Sequence, residues 1–247
     1  MKLRLVAPWW AALLGAAASV SAASPAVKVD GLVLPFQQVS ISCRIAGQIE
    51  TIAVKEGDSV AAGATLAQLH RAEEELEVLR TASLVQVKEY DAQGTAELAR
   101  KNMARKDEAM EKNAERDIAL LQAKLAQVAL ERKLIKSPLG GVVVAKRKEP
   151  GEWVEPGDVV FEVVSFDQVF VQILLNFEAT LPLALGAEVQ VELPQLPKDN
   201  LVTGKVDFID PRVDAASGYQ RVKILLPNPD RRILPGTRAF VVLPAVK

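Results

Sequence analysis

Residues 47–69 read GQIETIAVKEGDSVAAGATLAQL, and residues 141–164 read GVVVAKRKEPGEWVEPGDVVFEVV. Three glycines recur between the two stretches at a constant offset of 94 residues, and the pairs are Gly47 with Gly141, Gly57 with Gly151, and Gly63 with Gly157. Four apolar positions follow the same offset, namely Ile49 with Val143, Val60 with Val154, Leu66 with Val160, and Leu69 with Val163. This agreement indicates an internal repeat.

Each copy of the repeat alternates apolar and polar residues over short runs, which predicts short β-strands joined by tight turns. We expect all six glycines to be structural turn residues, because glycine adopts the backbone angles that such turns need. One copy is too small to bury a core alone. Two copies that pair face to face predict a small β-sandwich.

The segment between the copies has the pattern of an antiparallel helical hairpin. A first apolar stripe has coiled-coil spacing and contains Val78, Ala82, Val85, Ala92, Ala96, Ala99 and Met103. A second stripe contains Ala114, Ile118, Leu121, Leu125 and Val128 and continues to Ile135. We expect these two stripes to face each other as a seam, with the turn between Lys101 and Asn113 and Pro138 ending the second helix.

The repeat resembles the two halves of a biotinyl/lipoyl-carrier domain, in which a tight turn presents a modified lysine. Here about seventy residues replace that turn, and the first half ends without a lysine hairpin of the carrier type, so no attached cofactor is expected. A split carrier-like domain with a helical insertion resembles the periplasmic adaptors, or membrane fusion proteins, of bacterial tripartite efflux pumps.

The residues after the second copy predict five or six short strands separated by Pro, Gly, Asp and Asn, which favours a small β-barrel. The stretch from Val206 to Leu243 is similar to the adaptor-family barrel. The expected fold is therefore mainly β and elongated, with a split sandwich, a coiled-coil hairpin and a barrel. The expected segments are a signal peptide (1–22), an N-terminal strand (23–40), the first half (41–70), the hairpin (71–136), the second half (137–165) and the barrel (166–247).

The N-terminus has the pattern of a secretory signal peptide. Lys2 and Arg4 precede the apolar stretch Leu5–Val20, and small residues stand before Ala23. The pattern predicts a protein that is exported from the cytoplasm, and the adaptor resemblance implies a periplasmic protein that associates with the inner membrane through its partners. An uncleaved membrane anchor is the alternative interpretation.

The composition argues against several classes of function. A formal net charge of −1 and an aromatic content of 5% do not suit a nucleic-acid-binding protein. A single cysteine and a single histidine exclude a Cys/His zinc cage within the chain. Met103 and Met110 lie near the predicted hairpin turn, but two thioethers are too few to predict a copper site. We expect no catalytic residues and no metal ligands.

Basic residues surround the predicted turn of the hairpin and are the candidate partner-binding residues: Arg100, Lys101, Arg105, Lys106 and Lys112. An ordinary solvated helix–helix turn is the alternative. Adaptors that dock an outer-membrane exit duct carry an Arg, a Leu and a Ser at set spacings around this tip. Neither the frame that starts at Arg100 nor the one that starts at Arg105 matches, so a duct is the less supported of the two expected partners.

The resemblance implies an adaptor of a drug, metal or other small-molecule efflux system. Such a subunit would bridge an inner-membrane transporter, of the resistance-nodulation-division or ABC type, to an outer partner. It also implies several copies side by side. A periplasmic scaffold or sensor with this architecture is an alternative. A carrier domain of an acyl- or carboxyl-transfer enzyme would need a modified lysine at a tight turn.

Overall fold

The computed structural model describes residues 27–196 and 200–243, so the predicted signal peptide lies outside the described residues. The helices are α1 (Ala72–Arg100), α2 (Lys106–Arg132) and α3 (Phe177–Thr180). The strands are β1 (Val27–Ser42), β2 (Gly47–Ile52), β3 (Ser59–Val60), β4 (Thr65–Leu69), β5 (Leu134–Lys136), β6 (Gly141–Lys146), β7 (Trp153–Val154), β8 (Val159–Asn176), β9 (Glu188–Glu192), β10 (Leu201–Ile209), β11 (Tyr219–Pro227) and β12 (Arg238–Leu243). The predicted mainly β fold with a helical hairpin is confirmed.

The two copies of the repeat pair with each other to form a sandwich. Strand β2 of the first copy pairs with β7 of the second, and β3 pairs with β6 in the equivalent way. The backbone N–H of Gly57 donates to the carbonyl of Val143 at 2.8 Å, and that of Gly151 donates to Ile49 at 2.8 Å. These two bonds differ by the repeat offset, so the halves are related by an internal pseudo-symmetry. The repeated apolar residues Ile49, Leu66, Leu69, Val143, Val160 and Val163 share one core.

The repeat begins earlier than the glycine pattern indicates. Ile41 on β1 pairs with Phe161, and its equivalent Ile135 on β5 pairs with Ala67. The Cys43 thiol donates to the carbonyl of Ile45 at 2.9 Å, and the Ser137 hydroxyl donates to that of Leu139 at 2.6 Å. Cys43 and Ser137 are therefore equivalent buried residues with the same hydrogen bond.

The six repeat glycines have two different roles. Gly57, Gly63, Gly151 and Gly157 adopt φ angles between +81° and +100°, which L side chains rarely tolerate, and they lie in turns. Gly47 and Gly141 correct the expectation of six turn residues, because they are the first residues of β2 and β6. At position 141 a Cβ atom would collide with the carbonyl oxygen of Val164, so this glycine permits a close approach of two backbones.

Helix α2 ends earlier than the sequence pattern suggests. The apolar stripe extended it to Ile135, but the helix ends at Arg132 and strand β5 follows. The backbone N–H of Leu69 donates to the carbonyl of Lys133 at 2.9 Å. The chain therefore changes from helix to strand at Lys133, because pairing with β4 buries Ile135 in the sandwich core.

The remaining strands form a closed six-stranded barrel in the order β1, β12, β9, β10, β11 and β8, with β8 pairing back onto β1. Its core consists of inward-facing aliphatic side chains from all six strands. Strands β1 and β8 are long enough to continue from the barrel into the sandwich, where they pair again from Gln37 to Ser42. The barrel and the sandwich are thus joined through one pair of strands.

The internal equivalence predicts how position 43 responds to substitution. We expect Cys43→Ser to destabilise the protein less than Cys43→Val does, because Ser retains the donor to the partly buried carbonyl of Ile45, whereas Val leaves that carbonyl without this donor. Urea denaturation followed by circular dichroism measures both variants. A serine variant less stable than the valine variant would contradict the equivalence.

Candidate functional site

The hairpin is the candidate functional element because it projects from the sandwich between β4 and β5. Its helices contain 29 and 27 residues, so the arm is about 40 Å long at 1.5 Å per residue. Residues 101–105 connect them, and Asn102 adopts a φ of +59°, which asparagine tolerates better than most residues. The turn lies within the predicted range but is much shorter.

The seam between the helices is lined mainly by small and polar side chains, with two valines and one leucine among them. The inward-facing positions of α1 are Glu74, Val78, Thr81, Val85, Lys88, Ala92, Thr95 and Ala99. Those of α2 are Ala109, Lys112, Arg116, Ala119, Ala123, Ala126, Leu130 and Lys133. Val78, Val85, Ala92 and Ala99 of the predicted first stripe therefore do lie in the seam, and Ala96 is half-buried beside it. Ala82 is exposed, and Met103 is exposed at the tip, so the prediction was wrong for these two residues.

The predicted second stripe was assigned to the wrong face of α2. Ile118, Leu121, Leu125 and Val128 point to solvent, with exposed fractions from 43% (Val128) to 70% (Leu125). Alanines at positions 109, 119 and 126 are buried instead. Small residues let two helix axes approach closely, so the larger side chains are turned outward.

A polar layer fixes the register of the hairpin. The Glu115 carboxylate of α2 contacts the Lys88 ammonium of α1 at 2.5 Å and the Lys112 ammonium at 2.9 Å. Hydrogen bonds from Lys88 and Lys112 lower the pKa of Glu115 to about 2. Lys112 is therefore held in the seam below the tip, which corrects its predicted place in the basic tip cluster.

Both outer flanks of the hairpin carry exposed apolar side chains. The α2 flank consists of Ile118, Leu121, Leu125 and Val128, and the α1 flank of Leu76, Leu79, Val87 and Tyr90. Glu74 contacts Lys133, and Lys88 contacts Glu115, so the antiparallel helices place residues of the two flanks at matching levels. Leu79 lies near the level of Leu125, and Val87 lies near that of Ile118.

The structure brings the other four predicted basic residues together at the tip. Arg100 and Lys101 are exposed at the end of α1, and Lys106 is exposed at the start of α2. Arg105 forms an exposed ion pair with Asp107 at 2.6 Å. Exposed Met103 and Met110 add an apolar component that the charge pattern did not reveal.

Three further observations concern the described part of the chain. Within residues 27–196 and 200–243, no group of three or more His, Cys, Asp or Glu side chains is placed to hold a metal ion. None of the helices in these ranges is long and apolar enough to cross a membrane. Trp153 is exposed, with its indole N–H donating to Glu155 at 2.8 Å, so it belongs to the surface rather than the core.

Both β domains match known family models. The family model for CzcB-like barrel-sandwich hybrid domains matches residues 37–165, and that for CusB-like β-barrel domains matches residues 174–246. An uncharacterised Haemophilus influenzae protein is 21% identical over 224 residues, which cover 90% of this chain and 58% of the relative. The chain thus spans little more than half the length of that relative.

Two solved structures share the fold. A MacA–MexA chimeric protein, which contains the Pseudomonas aeruginosa MexA α-hairpin domain, superposes with a TM-score of 0.75 at 20% identity, covering 90% of this chain and 80% of the chimera. The membrane fusion protein Spr0693 from Streptococcus pneumoniae has a TM-score of 0.66 at 20% identity, covering 89% of this chain and all of Spr0693 (100%).

The polar layer predicts an acid-sensitive hairpin. We expect Glu115→Gln to lower the helix melting temperature at pH 7, because the lowered pKa means that the charged form of Glu115 stabilises the fold. That stabilisation is present above the ordinary glutamate pKa of about 4.5 and is lost as the pH falls towards 2. Thermal melting followed by circular dichroism at 222 nm should therefore show that the difference in melting temperature between the wild type and Glu115→Gln becomes smaller as the pH falls from about 4.5 to about 2. A pH-independent difference would contradict the role of the Glu115 charge.

Proposed function

The chain belongs to the family of periplasmic adaptors, or membrane fusion proteins, of efflux systems, and we propose that it is the subunit that bridges an inner-membrane transporter to an outer partner. The observation that carries this proposal is the helical arm, which leaves a split carrier-like sandwich where a carrier domain would have a tight turn. The protein then acts through contacts in the periplasm and has no catalytic chemistry of its own. The transporter would be of the resistance-nodulation-division or ABC type.

The two flanks of the hairpin support side-by-side assembly of several copies. Monomeric proteins rarely expose long apolar stripes, and such stripes mark sites of protein contact. If the α2 flank of one copy packs on the α1 flank of the next, apolar residues meet at the same levels along the arm. Two different surfaces then meet in every contact, and such heterologous contacts generate a ring when the rotation closes.

The tip supports contact with the outer partner. Lys101, Lys106 and Arg100 add positive charge around the exposed thioethers of Met103 and Met110. This combination suits a partner surface with carboxylates around an apolar centre. Lys112 has no part in this proposal because it is bound to Glu115 in the seam.

The adjacent ends of β4 and β5 allow a deletion of the arm that tests its function. The Leu69–Lys133 hydrogen bond shows that the ends of β4 and β5 are adjacent, so a short Asn-Gly turn can replace residues 71–132. We expect this variant to fold but to fail in restoring tolerance to toxic compounds in a strain that lacks the protein. The measurement is growth across a panel of dyes, antibiotics and metal salts.

Two additional measurements define the outcome. Cross-linking and affinity purification of the intact chain from cell envelopes should recover a transporter of the inner membrane, and recovery of signalling proteins alone would favour a sensor instead.

The Lys101→Glu/Lys106→Glu variant should lose tolerance as the arm deletion does, whereas Lys124→Glu on the exposed side of α2 should not. Full tolerance in the arm deletion would contradict the proposal.

Self-association through the flanks is tested separately. We expect Leu121→Glu/Leu125→Glu to reduce the assembly to monomers in analytical ultracentrifugation, because two charges would be buried in every contact. The matched control is Gln122→Glu/Gln127→Glu, which adds the same charge at exposed polar positions of α2. A wild-type chain that sediments as a monomer, or a flank variant that still associates, would contradict the contact.

A further inference from the structure

The junction between barrel and sandwich is interrupted by a bulge. In the ladder of β1 and β8, Pro35 pairs with Val169, but the next paired residue, Gln37, lies opposite Ser165. Phe36 therefore faces the three residues Phe166 to Gln168, and regular pairing stops at this point. A bulge of this kind bends a strand pair and weakens the local ladder. We call this interrupted segment the neck.

The loop between β11 and β12 packs on the neck. The side-chain amide of Asn228 donates to the carbonyl of Phe166 at 2.7 Å, and its backbone N–H donates to that of Asp167 at 2.8 Å. Asn228 is buried, and its Oδ1 atom accepts from the backbone N–H of Ile233 at 3.0 Å. This barrel loop is thus attached to one side of the neck.

Arg231 extends from this loop to the sandwich. Its Nε atom donates to Asp167 at 2.6 Å, and its guanidinium lies 5.7 Å from the centre of the Phe166 ring. Its Nη1 atom donates to the hydroxyl of Ser59 at 3.0 Å, and Ser59 belongs to β3. The side chain of Arg231 therefore contacts both Asp167 in the neck and Ser59 on the edge strand of the sandwich.

The backbone of Arg231 is unfavourable without these contacts. Its φ of +53° lies in the left-handed region, and within the described ranges Asn102 is the other non-glycine residue there. Asparagine enters this region readily, whereas a long side chain such as arginine does so at a cost. Strained conformations persist where surrounding contacts over-determine them, and they cluster at functional sites.

We propose that Arg231 is a clamp that fixes the angle between barrel and sandwich, and that the neck bulge is the hinge it restrains. With Arg231 in place, the Ser59 contact joins the two domains beside the shared strand pair. Without the Arg231 side chain, the shared strands β1 and β8 are the main connection between barrel and sandwich, and their pairing is interrupted at the neck. This inference concerns the shape of a single chain and does not depend on the proposed transport role.

Distance measurements between spin labels test the clamp. The labels are placed at Thr51 in the sandwich and Lys205 in the barrel, both exposed, in a Cys43→Ser background that has no competing thiol. We expect one narrow distance distribution in this parent and a distribution of about twice that width in Arg231→Gly, because the hinge is then free. Glycine removes the side chain and accepts the positive φ, so backbone strain is not added.

The matched control is Arg232→Gly, at the exposed neighbouring position of the same loop, and it should leave the distribution unchanged. Ser59→Ala removes the sandwich end of the clamp alone and should also widen the distribution, which keeps the test valid if Arg231→Gly fails to fold. Equal widths in the parent and both clamp variants would overturn the proposal. A parent as broad as the variants, or equal widening in Arg232→Gly, would overturn it as well.

Discussion

The backbone hydrogen bonds between the two glycine-patterned stretches are the constraint on which the rest of the structure depends. They join residues that are about ninety positions apart, and each bond has a partner at the equivalent position of the other half. Closing such a long loop costs chain entropy, which the shared core of repeated aliphatic residues offsets. Once the loop is closed, the intervening chain leaves and returns at the neighbouring strands β4 and β5, so the two helices that it forms run antiparallel.

A coiled coil that is stable alone buries its large apolar side chains in the seam, whereas this hairpin exposes most of them on its outer faces. Its seam contains mainly alanines, two valines, Leu130 and a Lys–Glu–Lys layer, whereas most of its leucines, Ile118 and Tyr90 face outward. A seam of this kind buries little apolar area, so the arm depends on the sandwich at its base. In the assembly proposed above, contacts through the flanks would add to the stability of the arm.

Much of the architecture could be predicted from the sequence because glycines and aliphatic residues repeat in register. The earlier start of the repeat was missed because Ile135, the equivalent of Ile41, was assigned to the apolar stripe of the second helix. The equivalence of Cys43 and Ser137 lies in a hydrogen bond, which the sequence does not report. The face of α2 was misassigned because large apolar residues were taken to be buried, although buried alanines repeat at equally regular positions. The Arg231 contacts join residues far apart in sequence, and no local pattern reports them.

The root of the arm is held by the backbone bond between Leu69 and Lys133, by the Glu74–Lys133 ion pair and by the burial of Ile135, none of which depends on the length of the helices beyond it. Insertion or loss of whole heptads in both helices would therefore change the reach in steps of about 10 Å while preserving which face looks inward. Duplication or deletion of heptads can in this way adjust the length of such a spacer to periplasms of different depth, while the β-sandwich and the barrel stay unchanged.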